Sequence, residues 1–162
     1  MKMKIAAVVI ATAALTACAS APGVRPVFPE HEYAGLEARK GTAVVTGQVF
    51  LRTRIGEVRY GAGSEVALNP VTSYSTFWYE NSYLVNRALS PADPRLPKYI
   101  ITTQADGSGN FRFENVPAGA YYLTSQVVWE IPGPYVSSQQ GGVISTRIEV
   151  PEGGEVRQML TR

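Results

Sequence analysis

The sequence predicts an all-β domain, a seven-stranded β-sandwich that carries one insertion. Short runs rich in β-branched and aromatic residues recur along the chain, and turn residues separate them. Several of these runs alternate apolar and polar side chains, as strands with one buried face do. The 15 glycines and 11 prolines also favour a turn-rich β protein. The predicted strands cover residues 42–51, 64–68, 100–103, 110–114, 120–129, 143–150 and 156–160.

The clearest pattern is a β-meander over residues 100–129. Phe111 and Phe113 alternate with charged neighbours, which places both rings on one face. Residues 106–109 contain Asp and two glycines, which are typical of a tight hairpin turn. Their oxygen atoms do not have the spacing of an EF-hand calcium loop, so we expect a plain hairpin and no metal site.

Other segments interrupt or connect the strands. Gly47, inside the first strand, predicts a bulge or a close approach of two backbones. Residues 52–63 form a polar hairpin with three glycines, and residues 130–142 form a loop marked by two prolines. The longest interruption is an insertion over residues 71–98, after the second strand.

The insertion is rich in aromatic residues and predicts a helix over residues 76–88 or an irregular segment. One interpretation is a cover for the end of the sandwich, with its aromatic side chains buried. The other is an exposed aromatic platform that contacts a sugar or a partner. The candidate contact residues of such a platform are Trp78, Tyr79, Tyr83, Trp129 and Tyr135.

The start of the chain predicts a leader and a lipid anchor. A short cationic segment precedes an apolar run that is too short to span a bilayer. The run ends in Leu-Thr-Ala-Cys18, which resembles the lipobox of bacterial lipoproteins. This resemblance implies removal of a signal peptide over residues 1–17 and fatty acylation (palmitate) of Cys18. The alternative is an ordinary signal peptide with an incidental cysteine.

The position after Cys18 is Ala19, so the aspartate that commonly retains lipoproteins in the inner membrane is absent. For a Gram-negative host the resemblance therefore implies an outer-membrane lipoprotein on the periplasmic side. Residues 18–41 are predicted as a tether with a short helix over residues 29–40, and residues 42–162 as the sandwich.

The charge of the chain argues against nucleic acid as a partner. Without Lys2 and Lys4 of the leader, the 15 basic residues fall to 13 and equal the 13 acidic residues. No run of basic residues occurs, and nucleic-acid-binding proteins usually carry one.

A family resemblance follows from the meander. The pattern Gly109-x-Phe111-x-Phe113-x-x-Val-Pro-x-Gly119-x-Tyr121, with Asp106 before it, resembles the signature of carboxypeptidase-regulatory-like domains. The resemblance covers residues 42–160 apart from the insertion and the 130–142 loop. It implies a transthyretin-like (prealbumin-like) Greek-key sandwich of the accessory kind, and it supplies no catalytic residue.

No motif for catalysis, metal binding or a cofactor is found. His31, the only histidine, lies among acidic residues before the sandwich, where no scaffold would orient it for catalysis. A paired-carboxylate hydrolase would depend on residues that flank the aromatic segments, namely Glu80, Asp93 and Glu130. We therefore expect a non-enzymatic protein without a cofactor.

These observations favour a lipid-anchored envelope domain that binds another envelope component, most simply a protein. The alternative is a module that binds peptidoglycan or another glycan through exposed aromatic rings. The two hypotheses differ in one structural feature, which is whether the aromatic residues of the insertion face the core or the solvent.

Overall fold

The structure, a computed structural model that describes residues 21–162, contains two four-stranded β-sheets that share one apolar core. This arrangement confirms the predicted all-β sandwich. The eighth strand, Val58–Tyr60, is not predicted from the sequence. It forms where part of the 52–63 hairpin pairs with the end of the first strand. The strands are β1 (Ala43–Arg52), β2 (Val58–Tyr60), β3 (Glu65–Pro70), β4 (Ile101–Gln104), β5 (Asn110–Val116), β6 (Gly119–Ile131), β7 (Ser138–Val150) and β8 (Glu155–Leu160).

Strand β1 is the centre of the first sheet because three strands pair with it. β2 and β5 run antiparallel to it, and β8 runs parallel to it. A Cβ atom built on Gly47 would lie 1.8 Å from the Gln158 carbonyl oxygen and 2.7 Å from Phe111 Cζ. Only a residue without a side chain fits there, so the predicted close backbone approach at Gly47 is confirmed.

The second sheet has the order β4-β3-β6-β7, and its β6–β7 hairpin is longer than the sequence predicts. The loop predicted over residues 130–142 is wrong, because most of that segment continues the two strands. Trp129 pairs with Gln140, and Ile131 pairs with Ser138. Polar residues are tolerated here because this end of the antiparallel hairpin is exposed to solvent.

The apolar core lies between the sheets and takes alternate side chains from the strands. Phe111 and Phe113 point into it, as predicted, and their rings meet edge to face with centroids 5.9 Å apart. Burying each large apolar side chain contributes about 1.5–3 kcal/mol, which fixes the register of the strands. The other buried members are Ala43, Val45, Val49, Leu51, Val66, Leu68, Ala105, Val116, Tyr121, Leu123, Val127, Ile144, Ile148, Val150 and Leu160.

The turn between β4 and β5 is tight, as the sequence predicts, but it is not a hairpin turn, because β4 pairs with β3 while β5 pairs with β1 in the other sheet. The predicted β-meander over residues 100–129 is therefore wrong, since its three strands alternate between the two sheets. The Asp106 carboxylate accepts hydrogen bonds from the backbone N–H groups of Ser108 (2.8 Å) and Asn110 (2.9 Å), and from the Asn110 side chain. These bonds, with those from Asn110 foremost, lower the pKa of the Asp106 carboxyl. Of the two glycines in the turn, only Gly109 has a positive φ, at +79°.

The described part of the predicted tether, residues 21–41, packs against the domain. We call it the N-terminal segment. Phe28 and Tyr33 are buried with Tyr74 in a second, smaller core. The rings of Phe28 and Tyr33 stack with centroids 4.5 Å apart. The prolines keep the backbone extended, but these two rings bury enough apolar surface to hold the segment on the domain.

The helix predicted over residues 29–40 is reduced to one turn, α1 (Glu30–Tyr33). Gly35, with φ at +82°, ends the helical backbone soon after it. The Glu32 carboxylate accepts hydrogen bonds from the hydroxyl and the backbone N–H of Ser73, and both bonds lower the pKa of Glu32. α1 is therefore linked directly to the insertion.

The helix of the insertion starts earlier than the predicted residues 76–88. α2 (Ser73–Trp78) begins after Thr72, whose hydroxyl accepts a hydrogen bond from the Ser75 N–H. The Ser75 hydroxyl in turn accepts a hydrogen bond from the Thr72 N–H. This is a capping box with serine in place of the usual Glu or Gln. The helix continues as a π-helical turn, Tyr79–Tyr83, and a short 3₁₀ helix, Leu96–Tyr99, ends the insertion.

No helix in the described range, residues 21–162, is long and apolar enough to cross a membrane. The predicted signal peptide, residues 1–17, and Cys18 lie outside the described residues.

Arg95 joins the insertion to the N-terminal segment. Its guanidinium pairs with Asp93 (2.8 Å) and with Glu30 of α1, and it lies 4.7 Å from the centroid of the Phe28 ring. Hydrogen bonds from the Arg95 side chain and backbone lower the pKa of Asp93 from 3.8 to about 2.

We predict that Phe28→Ala lowers the free energy of unfolding by about 3–4 kcal/mol, because it removes a buried ring. The matched control is Val27→Ala, since Val27 is 91% exposed. The control should change stability by less than about 0.5 kcal/mol. Urea unfolding of the full-length protein, followed by tryptophan fluorescence, measures both values. Equal small effects of the two substitutions would show that the N-terminal segment is a free tether.

We expect the Asp93 carboxyl to titrate at about pH 2 and Arg95→Gln to return its pKa toward 3.8. Because the folded-state pKa is depressed, the stabilising contribution of this carboxylate is present above pH 3.8 and is lost as the pH falls toward 2. Carbon-13 NMR of the carboxyl resonance measures the pKa. A value that Arg95→Gln leaves unchanged would contradict the ion pair.

Candidate functional site

The insertion lies against the face of the second sheet that points away from the core. Side chains alternate along β6, so Tyr121 and Leu123 face the core while Tyr122 faces the insertion. The Tyr79 ring stacks on the Tyr122 ring with centroids 4.6 Å apart and an interplanar angle of 21°. The Tyr122 hydroxyl also donates a hydrogen bond to Thr76 Oγ1 (3.2 Å). These contacts fix the helix on the sheet.

Four aromatic rings form a column that starts at Tyr122. Tyr79 stacks on Tyr122, Tyr83 stacks on Tyr79 with centroids 5.3 Å apart, and Trp78 stacks on Tyr83 at 5.9 Å. Burial foremost, and then the neighbouring Tyr83 and Tyr122, raise the pKa of Tyr79. The three rings of the insertion are half-buried. The column therefore covers the sheet and still leaves ring surface in contact with solvent.

Trp78 and Tyr83 line a groove of about 780 Å³ between the insertion and the edge strand β7. We call it the Trp78 groove. Its lining combines these two rings and the exposed Leu84 with groups that can form hydrogen bonds. The polar lining residues are Ser82, Asn86, Arg87 and Arg162, and β7 contributes Gly141, Gly142 and Val143.

A second cavity, of about 590 Å³, lies at the end of the sandwich where β1 and β6 leave the core. We call it the Trp129 cleft. Its apolar lining residues are Leu51, Ile55, Trp129, Ile131 and Pro132. Its charged lining residues are Arg52, Arg54, Glu57, Arg59, Glu130 and Arg162. Within this set, Glu57 and Arg59 form an exposed ion pair of 2.8 Å.

The Trp78 groove and the Trp129 cleft meet at Gly141 and Arg162, which line both. A Cβ atom built on Gly141 would lie 2.1 Å from the Val127 carbonyl oxygen and 2.9 Å from Trp129 Cζ3, and its φ is +94°. A side chain does not fit there, so β7 contributes only backbone at the point where the cavities meet. The Arg162 guanidinium donates a 3.4 Å hydrogen bond to the Gly141 carbonyl oxygen. One elongated ligand can therefore contact both cavities.

The five contact residues proposed from the sequence occupy three environments. Trp78 and Tyr83 line the Trp78 groove, and Trp129 lines the Trp129 cleft. Tyr79 lies within the ring column and lines neither cavity. Tyr135 is 96% exposed in the β6–β7 connection and also lines neither. The structure thus brings three of the five proposed residues into one continuous surface.

Sequence reasoning misses the arginines of this surface. Arg52 and Arg54 end β1 and start the polar hairpin, Arg59 lies in β2, and Arg162 follows β8. The available signal is the Arg-Thr-Arg run at the end of a strand, with Arg59 in the same hairpin. Arg162 offers no such signal, because only the fold brings it to the junction.

The residues considered for catalysis lie in different places. Glu80 is exposed on the π-helical turn and lines neither cavity, and Asp93 is paired with Arg95. Glu130 lines the Trp129 cleft, and His31 is exposed on α1. Among the side chains of residues 21–162, no group of three His, Cys, Asp or Glu could hold a metal ion.

No protein-family model and no curated protein matches the chain. Among solved structures, the chain is similar to the crystal structure of a putative carbohydrate binding protein, PA1324, from Pseudomonas aeruginosa. The two chains are 30% identical and superpose with a TM-score of 0.72. The match covers 85% of this chain and 99% of the PA1324 chain. The protein therefore belongs to the same family as PA1324.

Proposed function

We propose that the protein is a carbohydrate-binding module of the bacterial cell envelope that holds its ligand without converting it. The observation that carries this proposal is the Trp78 groove, where two ring surfaces lie beside several hydrogen-bonding side chains. A pyranose ring has an apolar face and a rim of hydroxyl groups, so it needs a flat apolar partner and polar partners at its edge. The family relation to PA1324 supports a glycan as the ligand class.

Contacts within the chain hold the lining of the groove in place. Stacking on Tyr83 holds the Trp78 ring, and the Ser82 hydroxyl donates a 2.7 Å hydrogen bond to the Arg87 carbonyl oxygen. That bond fixes the backbone turn that carries Asn86, whose φ is +49°. A pre-ordered site loses less conformational entropy when a ligand binds, which favours affinity.

We also propose that Cys18 carries the lipid anchor and, in a Gram-negative host, holds the module on the periplasmic side of the outer membrane. The Leu-Thr-Ala-Cys18 match supports this. The linker between Cys18 and the domain is short, because Gly23 already forms a bridge with Leu89 of the insertion. Five residues reach at most about 17 Å when extended, so the insertion lies close to the membrane surface.

We further infer that the sandwich is of the transthyretin-like, carboxypeptidase-regulatory-like kind with a Greek-key order. The support is that strands form at all seven predicted places, with the short β2 as an addition. Gly109 has a positive φ in its turn, and Phe111 and Phe113 are buried, which gives the shared motif a structural reason.

A protein partner is the second candidate ligand. β7 is a strand of 13 residues at the edge of its sheet, and in the described chain it pairs with β6 alone. Such an edge can accept a strand from another protein. Stoichiometric co-purification of one envelope protein that Trp78→Ala leaves intact would favour this candidate.

We predict that Trp78→Ala weakens glycan binding at least ten-fold, because it removes the ring on which the sugar stacks. Tyr135→Ala is the matched control, since Tyr135 is exposed and lines neither cavity. Pull-down on insoluble peptidoglycan and electrophoresis through gels that contain soluble polysaccharides measure binding. Retention of full affinity by Trp78→Ala would refute the proposed site.

We expect Cys18→Ser to release the protein from the membrane fraction, because the thiol that carries the lipid is lost. Ser20→Ala is the control and should leave fractionation unchanged. Immunoblots of membrane and soluble fractions give the distribution. A Cys18→Ser protein that stays in the membrane and is processed normally would show that the anchor is not on Cys18.

A further inference from the structure

The Trp129 cleft has a local excess of positive charge. Four arginines and two glutamates line it, and one of the glutamates, Glu57, is already paired with Arg59. No lysine lines either cavity. The chain after the leader has equal numbers of basic and acidic residues, so this excess is a feature of the cleft and not of the whole surface.

Two of these arginines are open to a ligand. Arg52 and Arg54 are exposed and form no ion pair within the described chain. A guanidinium group donates several N–H bonds in a planar fork that matches a carboxylate or a phosphate. Neutral sugar hydroxyls do not need such a partner. The pair therefore favours an anionic group.

The arginines continue into the Trp78 groove. Arg162 lies at the junction of the two cavities, and Arg87 lies on the insertion side of the groove. A chain of sugars that stacks on Trp78 and crosses β7 at Gly141 reaches the Trp129 cleft next. Both cavities and their junction therefore offer such a ligand aromatic rings or guanidinium groups.

We propose that the ligand is an acidic glycan whose carboxylate or phosphate groups bind Arg52 and Arg54 while its sugar rings stack in the Trp78 groove. This inference rests on the proposed function and names the class of glycan. The shared chemistry is an anionic group repeated along a sugar chain, and uronic acids and sugar phosphates both supply it.

The test compares acidic ligands with uncharged counterparts that have the same sugar chain. Full-length protein in a nonionic detergent is titrated by calorimetry with oligogalacturonate and with its methyl ester, which has the same sugar chain without the charge. Phosphomannan and neutral mannan form the second pair, and the two pairs separate a carboxylate from a phosphate. We expect at least ten-fold tighter binding of one acidic probe than of its neutral counterpart, with affinity falling as salt is added.

The variants separate the two arginines from net charge. Arg52→Gln/Arg54→Gln should reduce the affinity for the acidic probe to that for its neutral counterpart. Arg112→Gln/Arg147→Gln removes the same charge outside both cavities and should leave the affinity unchanged. Equal affinities within both ligand pairs, or equal losses in the two double variants, would overturn the inference and leave the proposed function standing. Absence of binding to all four probes would also overturn the inference, and the proposed function would fall only if peptidoglycan and the soluble polysaccharides did not bind either.

Discussion

The stack of Tyr79 on Tyr122 is the contact on which the candidate site depends. It joins the insertion to the outer face of the second sheet, with ring centroids 4.6 Å apart. A stacked aromatic pair contributes only about 0.5–1.5 kcal/mol beyond the burial of its surface, so it does not hold the insertion alone. The Tyr122–Thr76 hydrogen bond and the small core around Phe28, Tyr33 and Tyr74 support it. The N-terminal segment is thus part of the structure that positions Trp78.

The second determinant is the length of the β6–β7 hairpin. The two strands pair from Gly119 with Val150 to Ile131 with Ser138, well past the core between the sheets. This extension carries Trp129 to the end of the sandwich and places Gly141 where the two cavities meet. Glycine at position 141 leaves only the Arg162 side chain at this junction. The candidate binding surface is thus formed by the insertion and the extended β6–β7 hairpin, which both lie outside the core of the β-sandwich.

The parts of the fold that follow local rules could be predicted from the sequence. Strands with one buried face, such as the one that contains Phe111 and Phe113, show their period directly. The β6–β7 extension could not be predicted, because its Gln, Ser and Gly residues have low strand propensity and are held by pairing with β6. The packing of the N-terminal segment on the domain could not be predicted, because its prolines are typical of an extended tether. The burial of Phe28 and Tyr33 also depends on Tyr74, which lies far along the chain. The aromatic residues of the site could be predicted because they cluster in the sequence of the insertion. Its arginines could not, because only the fold brings Arg52, Arg54, Arg59 and Arg162 to one cavity.

The protein contains two tryptophans, and one lies in each cavity. Their indole N–H resonances therefore report separately on the Trp78 groove and the Trp129 cleft. The most direct measurement is a titration of ¹⁵N-labelled full-length protein with whichever acidic oligosaccharide binds, followed by NMR. We predict that both indole resonances shift together and give one dissociation constant, while the uncharged counterpart moves the Trp129 resonance much less. Shifts confined to backbone amides far from both tryptophans would contradict a glycan site that spans these two cavities.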